Sequence, residues 1–269
     1  MLLDIRNVRG GYGNGDIVRG VSCCADAGDI LCLVGPNGCG KTTLFRLMLG
    51  SLPASGGSIL IGGQDISALS PGALSKRIAY IPQYHTPIFN YTVLDVVIMG
   101  RASSLSALEA PKAADRESAF AALEKVNAAH LANQPYTALS GGQRQLILIA
   151  RAICQAAKVF VMDEPAANLD YANHQLLMEV IVDLAEQGYC VVMSTHAPEH
   201  PASIGSKVLL MREGRVAGFG TPKEVITPEN LEAVYGIEMD VVTISDRYGV
   251  RRTICLPVRH PGRAGRAPL

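Results

Sequence analysis

A chain of 269 residues, 48% of them hydrophobic, can bury a full core, as one large domain or as a domain with a subdomain. Its 24 basic and 24 acidic residues cancel, and no run of like charge occurs, so the balance gives no reason to expect nucleic acid as a partner. Seven cysteines, an odd number without framework spacing, suit a reducing compartment, and the adjacent Cys23 and Cys24 lack the two-residue gap of a metal or redox pair.

Asp4, Arg6 and Arg9 interrupt the start and argue against a secretory signal. The apolar runs at 159–162, 191–193 and 208–211 have the length of strands and fall short of a membrane span. The expectation is a chain that does not cross a bilayer unaided.

Residues 2–8 and 17–25 read as short, partly alternating strands compatible with an antiparallel layer. The Gly-rich turn at 10–15 lies between them and holds one aromatic, Tyr12. An apolar strand at 31–34 then breaks into Gly35-Pro36-Asn37-Gly38-Cys39-Gly40-Lys41-Thr42-Thr43, after which Leu44, Leu47 and Met48 resume at helical spacing. Strand, glycine-rich loop and helix in that order make G-x-x-x-x-G-K-[ST] a phosphate-binding loop. The glycines let backbone N–H groups turn inward around phosphate oxygens, where the helix N-terminus adds its partial positive charge. Lys41 is spaced to reach the β- and γ-phosphates and Thr42 to ligate Mg²⁺, so the loop implies a nucleoside triphosphate.

Further on, residues 58–61 and 77–82 read as strands, the second ending at Pro82-Gln83, where a polar side chain beside a phosphate site can sense the ligand. Thr92 and Asp95 form a capping-box start, and a second helix places Phe120, Leu123 and Val126 on one face. Residues 84–139 therefore read as a helical subdomain inserted between core strands. Ser140 stands as N-cap before Gly141, Gly142 and Gln143, opening a helix in which Leu146, Ile149, Ala150, Ile153, Cys154 and Ala157 follow one stripe. That is a second helix start with bared backbone N–H groups.

The strand at 159–162 ends in Asp163-Glu164, two carboxylates that are costly to bury unless they serve a cation and a water. Asn168-Leu169-Asp170, a helix with Leu177, Val180, Ile181 and Leu184 on one face, and a strand at 190–193 running into Ser194-Thr195-His196 come next. A hairpin at 208–216, a Thr221–Glu224 capping box, a short helix to Gly236 and strands near 239–245 and 250–256 complete the ordered part. Residues 259–269, rich in Pro, Gly and Arg, read as a flexible tail.

Leu139-Ser140-Gly141-Gly142-Gln143, set between a phosphate loop and a strand ending Met162-Asp163-Glu164, resembles the ATP-binding cassette (ABC) ATPases over residues 2–236. The resemblance implies an α/β P-loop NTPase core, a mainly parallel sheet flanked by helices, with an antiparallel β layer and an inserted α-helical subdomain. Residues 1–83 and 140–236 would form the core, 84–139 the subdomain followed by the signature helix at 140–157, and 237–258 a C-terminal β extension. It implies further that Tyr12 stacks on adenine and that Gly35 to Thr43 hold the phosphates of ATP. Gln83 would touch Mg²⁺ and the attacking water, and Ser140, Gly141, Gly142 and Gln143 would complete the ATP site of the opposite subunit. Asp163 would orient Mg²⁺, Glu164 act as general base, Asp170 lie at the dimer seam and His196 contact the γ-phosphate. Ala166 and Ala167 depart from the small hydroxyl residues common in the family, and Cys39 could make ATP binding sensitive to thiol reagents.

Within the family, Tyr80-Ile81-Pro82-Gln83, the run from Tyr91 to Arg101, Thr195-His196-Ala197-Pro198-Glu199-His200 and Val234-Tyr235-Gly236 resemble importers of iron–siderophore, haem, cobalamin and molybdate-type substrates. The implied partners are a second copy of the chain, two multi-span permeases and, indirectly, a substrate-binding protein, at the cytoplasmic face of the cell membrane. A soluble cofactor-assembly ATPase and an exporter motor stay open. His196 and His200 are four apart, but Pro198 and Pro201 argue against a regular helix there and so against a metal site. His85, His130, His174 and His260 lack ligand spacing and read as solvent or packing residues. Tyr84, Phe89 and Tyr91 fill the subdomain or line a partner-facing groove. Arg259, Arg263 and Arg266 read as solvated.

Overall fold

Two antiparallel strands, β1 (Leu3–Gly10) and β2 (Val18–Ala25), open the chain, and their alternation buries Leu3, Ile5, Val18 and Val21. β3 (Ile30–Val34) is buried at every position and runs through the glycine-rich loop into α1 (Lys41–Met48). β4 (Gly56–Ile61) and β5 (Gln64–Asp65) complete an antiparallel sheet in the order β2-β1-β4-β5. A short helix capped by Ser70, α2 (Pro71–Ser75), leads to β6 (Ile78–Ile81). The helical layer follows as α3 (Val93–Ile98), α4 (Ala113–Lys125) and α5 (Gly141–Cys154). The chain then alternates through β7 (Val159–Met162), α6 (Tyr171–Glu186), β8 (Cys190–Thr195), α7 (Glu199–Ile204) and β9 (Lys207–Arg212). β10 (Arg215–Gly220), α8 (Pro222–Val225), α9 (Pro228–Tyr235) and the hairpin β11 (Met239–Ser245) with β12 (Arg251–Pro257) end it. This computed structural model describes residues 1–13, 15–83, 90–104, 109–167, 169–245, 247–249 and 251–258. Tyr84, His85, Phe89, Asn168, His260 and the segment 259–269 with Arg259, Arg263 and Arg266 lie outside the described residues.

The central sheet runs β10-β9-β3-β8-β7-β6, parallel except for the antiparallel edge strand β10. Its inner strands β3, β7 and β8 are buried at every position because both faces are covered. Ile30, Cys32 and Val34 of β3 with Phe160 and Met162 of β7 face a core shared with the helical layer. Leu31, Leu33, Val159 and Val161 face the opposite way, onto α1 and the antiparallel sheet. Burying each such aliphatic side chain contributes roughly 1.5–3 kcal/mol before the entropy cost of ordering it. Parallel pairing sets Val34 beside Thr195, Met162 beside Met193 and Ile81 beside Met162. The strand C-termini therefore share one edge, where polar side chains can converge.

Two sequence expectations fail. On α4, Phe120 is 43% exposed, while Ala119, Ala122, Leu123 and Val126 are buried. Small alanines let the helix pack closely, and the large aromatic sits one position off the stripe. Residues 199–204 do form a helix, because Pro198 precedes its first residue and Pro201 falls in its first turn, where a missing N–H costs no bond. β5 and α2 carry no sequence signal strong enough to have been anticipated.

Candidate functional site

The loop after β3 leaves its strand at Gly35, where a Cβ would lie 2.3 Å from the Met211 carbonyl oxygen, so only glycine fits. Gly40, with φ of 109°, precedes α1, and no side chain caps that helix. The Lys41 side chain is only 6% exposed and curls back so that its ammonium donates to the Gly35 and Pro36 carbonyls at 2.7 and 3.3 Å. Pro36, Asn37, Gly38 and Cys39 complete the loop, with Cys39 buried and its thiol pushed up by burial. Thr43 is buried in the first turn of α1.

β7 and β8 bring the acidic groups to this loop. The Thr42 hydroxyl donates to Asp163 Oδ2 at 3.2 Å, and the Ser194 hydroxyl donates to Asp163 Oδ1 at 2.7 Å. Ser194 Oγ also accepts the Glu164 N–H at 2.8 Å. Glu164 has φ of 44°, a left-handed conformation costing on the order of 1–2 kcal/mol for an L-residue. Ser194 helps to hold it there, and the turn aims the carboxylate at the loop. Glu164 Oε1 lies 4.0 Å from Lys41 Nζ, Oε2 accepts from Gln83 Nε2 at 3.1 Å, and His196 Nδ1 lies 3.6 Å from Oε2. His196 is itself 65% exposed, and its backbone carbonyl accepts the Tyr235 hydroxyl at 3.1 Å. Lys41, Thr42, Gln83, Asp163, Glu164 and His196 are thus gathered around one point.

Tyr12 lies to one side, 45% exposed. The Arg46 guanidinium, on the last turn of α1, sits 5.5 Å over its ring and donates to its hydroxyl at 2.6 Å. A cavity of about 560 Å³ opens here, lined by Tyr12 with Arg9, Asp16, Ile17, Arg19 and Arg215.

Ser140, Gly141, Gly142 and Gln143 are elsewhere. Ser140 Oγ accepts the Gln143 N–H while the Gln143 side chain accepts the Ser140 N–H, a reciprocal cap on α5. A Cβ on Gly142 would lie 2.5 Å from Asn173 Cγ, so this glycine seats α5 against the start of α6. Asp170 caps α6, accepting from the Asn173 N–H and Nδ2 at 2.8 and 2.9 Å. Among the described residues, no hydrogen bond or ion pair joins Ser140–Gln143 to residues 35–43.

A family profile described as ABC transporter matches residues 18–167, more than half of the chain. The chain belongs to the ABC transporter family. This ABC ATPase is 39% identical to the Molybdate import ATP-binding protein MolC of Haemophilus influenzae, over 79% of each chain. It is 36% identical to the Cobalamin import ATP-binding protein BtuD of Halobacterium salinarum, over 90% of this chain and 61% of the relative. Its fold superposes with a TM-score of 0.86 and 34% identity on a chain of an inward-facing ABC transporter described as of the metal-chelate type, covering 96% and 98% of the two chains. The ABC ATPase binds and hydrolyses ATP as part of a transporter complex with membrane subunits. Among the described residues, no helix is long and apolar enough to cross a membrane itself.

Sequence reading missed two contributors. Ser194 is fully buried yet joins Asp163 to the Glu164 backbone, and its advance signal is a hydroxyl pair, Ser194-Thr195, closing a strand whose first four residues are apolar. Tyr235 holds the His196 backbone from 39 residues away, which no local pattern announces.

Proposed function

We propose that this ABC ATPase drives uptake of a metal chelate or oxyanion (iron–siderophore, haem, cobalamin or molybdate/tungstate) through separate membrane permeases. Two copies face head to tail at the cytoplasmic face of the cell membrane, and a substrate-binding protein delivers cargo from the other side. The relatives named for molybdate and cobalamin import, and the structural match of the metal-chelate type, support the cargo class.

The observation that carries the mechanism is the Glu164 carboxylate, held by Gln83 and 4.0 Å from the ammonium that lines the phosphate loop. Phosphoryl transfer to water needs an oriented nucleophile and positioned charge more than covalent chemistry. Glu164 takes the proton of the attacking water, and Gln83 helps to orient both. Lys41 and His196 oppose charge spreading over the γ-phosphoryl oxygens, as does the uncapped start of α1. Tyr12 stacks on adenine, with Arg46 against the ring's other face. Thr42 and Asp163 offer hard oxygen donors 3.2 Å apart, a donor set that fits Mg²⁺, and Gln83, hydrogen-bonded to the neighbouring Glu164, would join them. Bound there, Mg²⁺ would neutralise phosphate charge. Ser140, Gly141, Gly142 and Gln143 close over the partner copy's nucleotide, with Asp170 at the seam.

The Glu164→Gln variant is expected to bind ATP normally and to hydrolyse it about 10²–10⁴-fold more slowly, the usual cost of removing a general base. Wild-type turnover in that variant removes Glu164 from the role. Co-purification from detergent-solubilised membranes is expected to recover a multi-span permease, whose binding protein can then be tested for a metal chelate or oxyanion. Recovery of soluble partners alone would place the chain among cofactor-assembly ATPases.

A further inference from the structure

His174 and His200 have no part in the mechanism above, yet the fold joins them. His174 sits in the first turn of α6 and His200 in α7, and their Nε2 atoms lie 3.0 Å apart. His200 Nδ1 lies 2.9 Å from Thr195 Oγ1, which also accepts the Ala197 N–H at 3.1 Å. Thr195 and Ala197 are the two chain neighbours of His196. The contacts therefore run from α6 through both rings to the residues that bracket His196.

Two imidazole nitrogens at this distance need one shared proton, donated by one ring and accepted by the other. Thr195 Oγ1 accepts from Ala197 and keeps both its own hydrogen and a second lone pair for His200 Nδ1, so either tautomer of His200 completes the chain of contacts. Burial first, and His174 and His196 second, push His200 down to about 4. Glu179 and Asp183 of α6 and Arg252 of β12 line the cavity beside the pair. On the other side, His200 and Glu164 line a common cavity of about 40 Å³. Asn173, which meets Gly142, directly precedes His174, so the turn that seats α5 also carries this contact.

We propose that His174 and His200 form a strut that holds the loop bearing His196 against the first turn of α6, making both of them positioning residues for ATP hydrolysis. The strut and the Tyr235 hydroxyl fix the backbone of His196 from two sides and leave its exposed ring to meet the γ-phosphate. This rests on the reading of His196 given above.

The test is steady-state ATPase kinetics of the assembled transporter, with each variant made in the wild-type and His196→Ala backgrounds and melting followed in parallel. His200→Leu is expected to lower kcat at least tenfold with KM for ATP within twofold of wild type. His200→Asn, which keeps an acceptor for Thr195, should recover part of that loss. In the His196→Ala background His200→Leu should cost less than a further twofold, because what it positions is gone. His174→Ala should repeat the pattern and decides the matter if His200→Leu does not fold. Unchanged kcat in the folded variants overturns the strut, as does an equal loss in both backgrounds, which would mark simple packing. Full activity in His196→Ala would overturn the reading of His196 and the strut with it. Loss there, combined with unchanged kcat in His200→Leu, would overturn the strut alone.

Discussion

The openings of α1 and α5 both combine glycines with bared backbone N–H groups, but their surroundings differ. At α1, no side chain caps the helix, and Lys41, Asp163, Glu164 and Gln83 crowd the loop from three strand ends. At α5, Ser140 and Gln143 cap one another, Ser140 and Gly141 are exposed, and the nearest neighbour of Gly142 is Asn173 of the same chain. One opening is furnished with a buried ammonium and two carboxylates, and the other presents its reciprocal Ser140–Gln143 cap with Arg144 one residue further on. That division is what a site shared between two copies requires. In the proposed head-to-tail pair, each copy would bring the reacting groups of one pocket and the cover of the other.

Changes confined to one region should separate the two. Gly142→Ala drives a methyl group into the Asn173 side chain and shifts the opening of α5. A misplacement of this kind costs up to about 10²-fold in rate, so ATPase activity of the assembled transporter should fall by that order while ATP affinity of the isolated subunit stays unchanged. Weakened binding by the isolated subunit would mean that α5 serves its own pocket. Ser194→Ala acts on the opposite region, leaving a buried Asp163 oxygen and the Glu164 N–H without their partner. Urea denaturation should show a loss of about 1–3 kcal/mol. Turnover should fall with it, since the left-handed turn at Glu164 loses its anchor. Unchanged stability would remove Ser194 from the account.

The smallest effect concerns the tie between the regions. His200 is held near 4 instead of its ordinary 6.5, so between those values the unfolded chain takes up a proton that the folded chain refuses. Stability should therefore fall as pH drops from about 6.5 toward 4 and be insensitive to this group above that range. Denaturation curves at pH 7 and pH 5 should converge in His200→Leu relative to wild type, and an unchanged slope would show His200 to be freely protonated.

Much of this was legible because local chemistry dictates it. The strand, loop and helix around Lys41 must appear in that order for the loop to work, and the Ser140 and Thr92 caps follow from side chains three residues apart. Strands such as β3 and β7 declare burial on both faces by being apolar without alternation. What escaped depends on distance in the chain or on small residues. Ala119 and Ala122 set the packed face of α4, yet they carry less hydrophobic signal than the exposed Phe120. Prolines read as helix breakers proved compatible with α7 because of where they fall in its first turn. Ser194, Tyr235 and the two histidines act on residues from 26 to 39 positions away, so only the folded sheet edge brings them together.

The most direct measurement is the structure of the Glu164→Gln variant with ATP and Mg²⁺ bound. Two copies related by a two-fold axis are expected, with the Ser140 loop of each lying across the triphosphate gripped by the other copy's Lys41. A nucleotide enclosed by a single copy, its own α5 opening folded over its own phosphate loop, would contradict that arrangement.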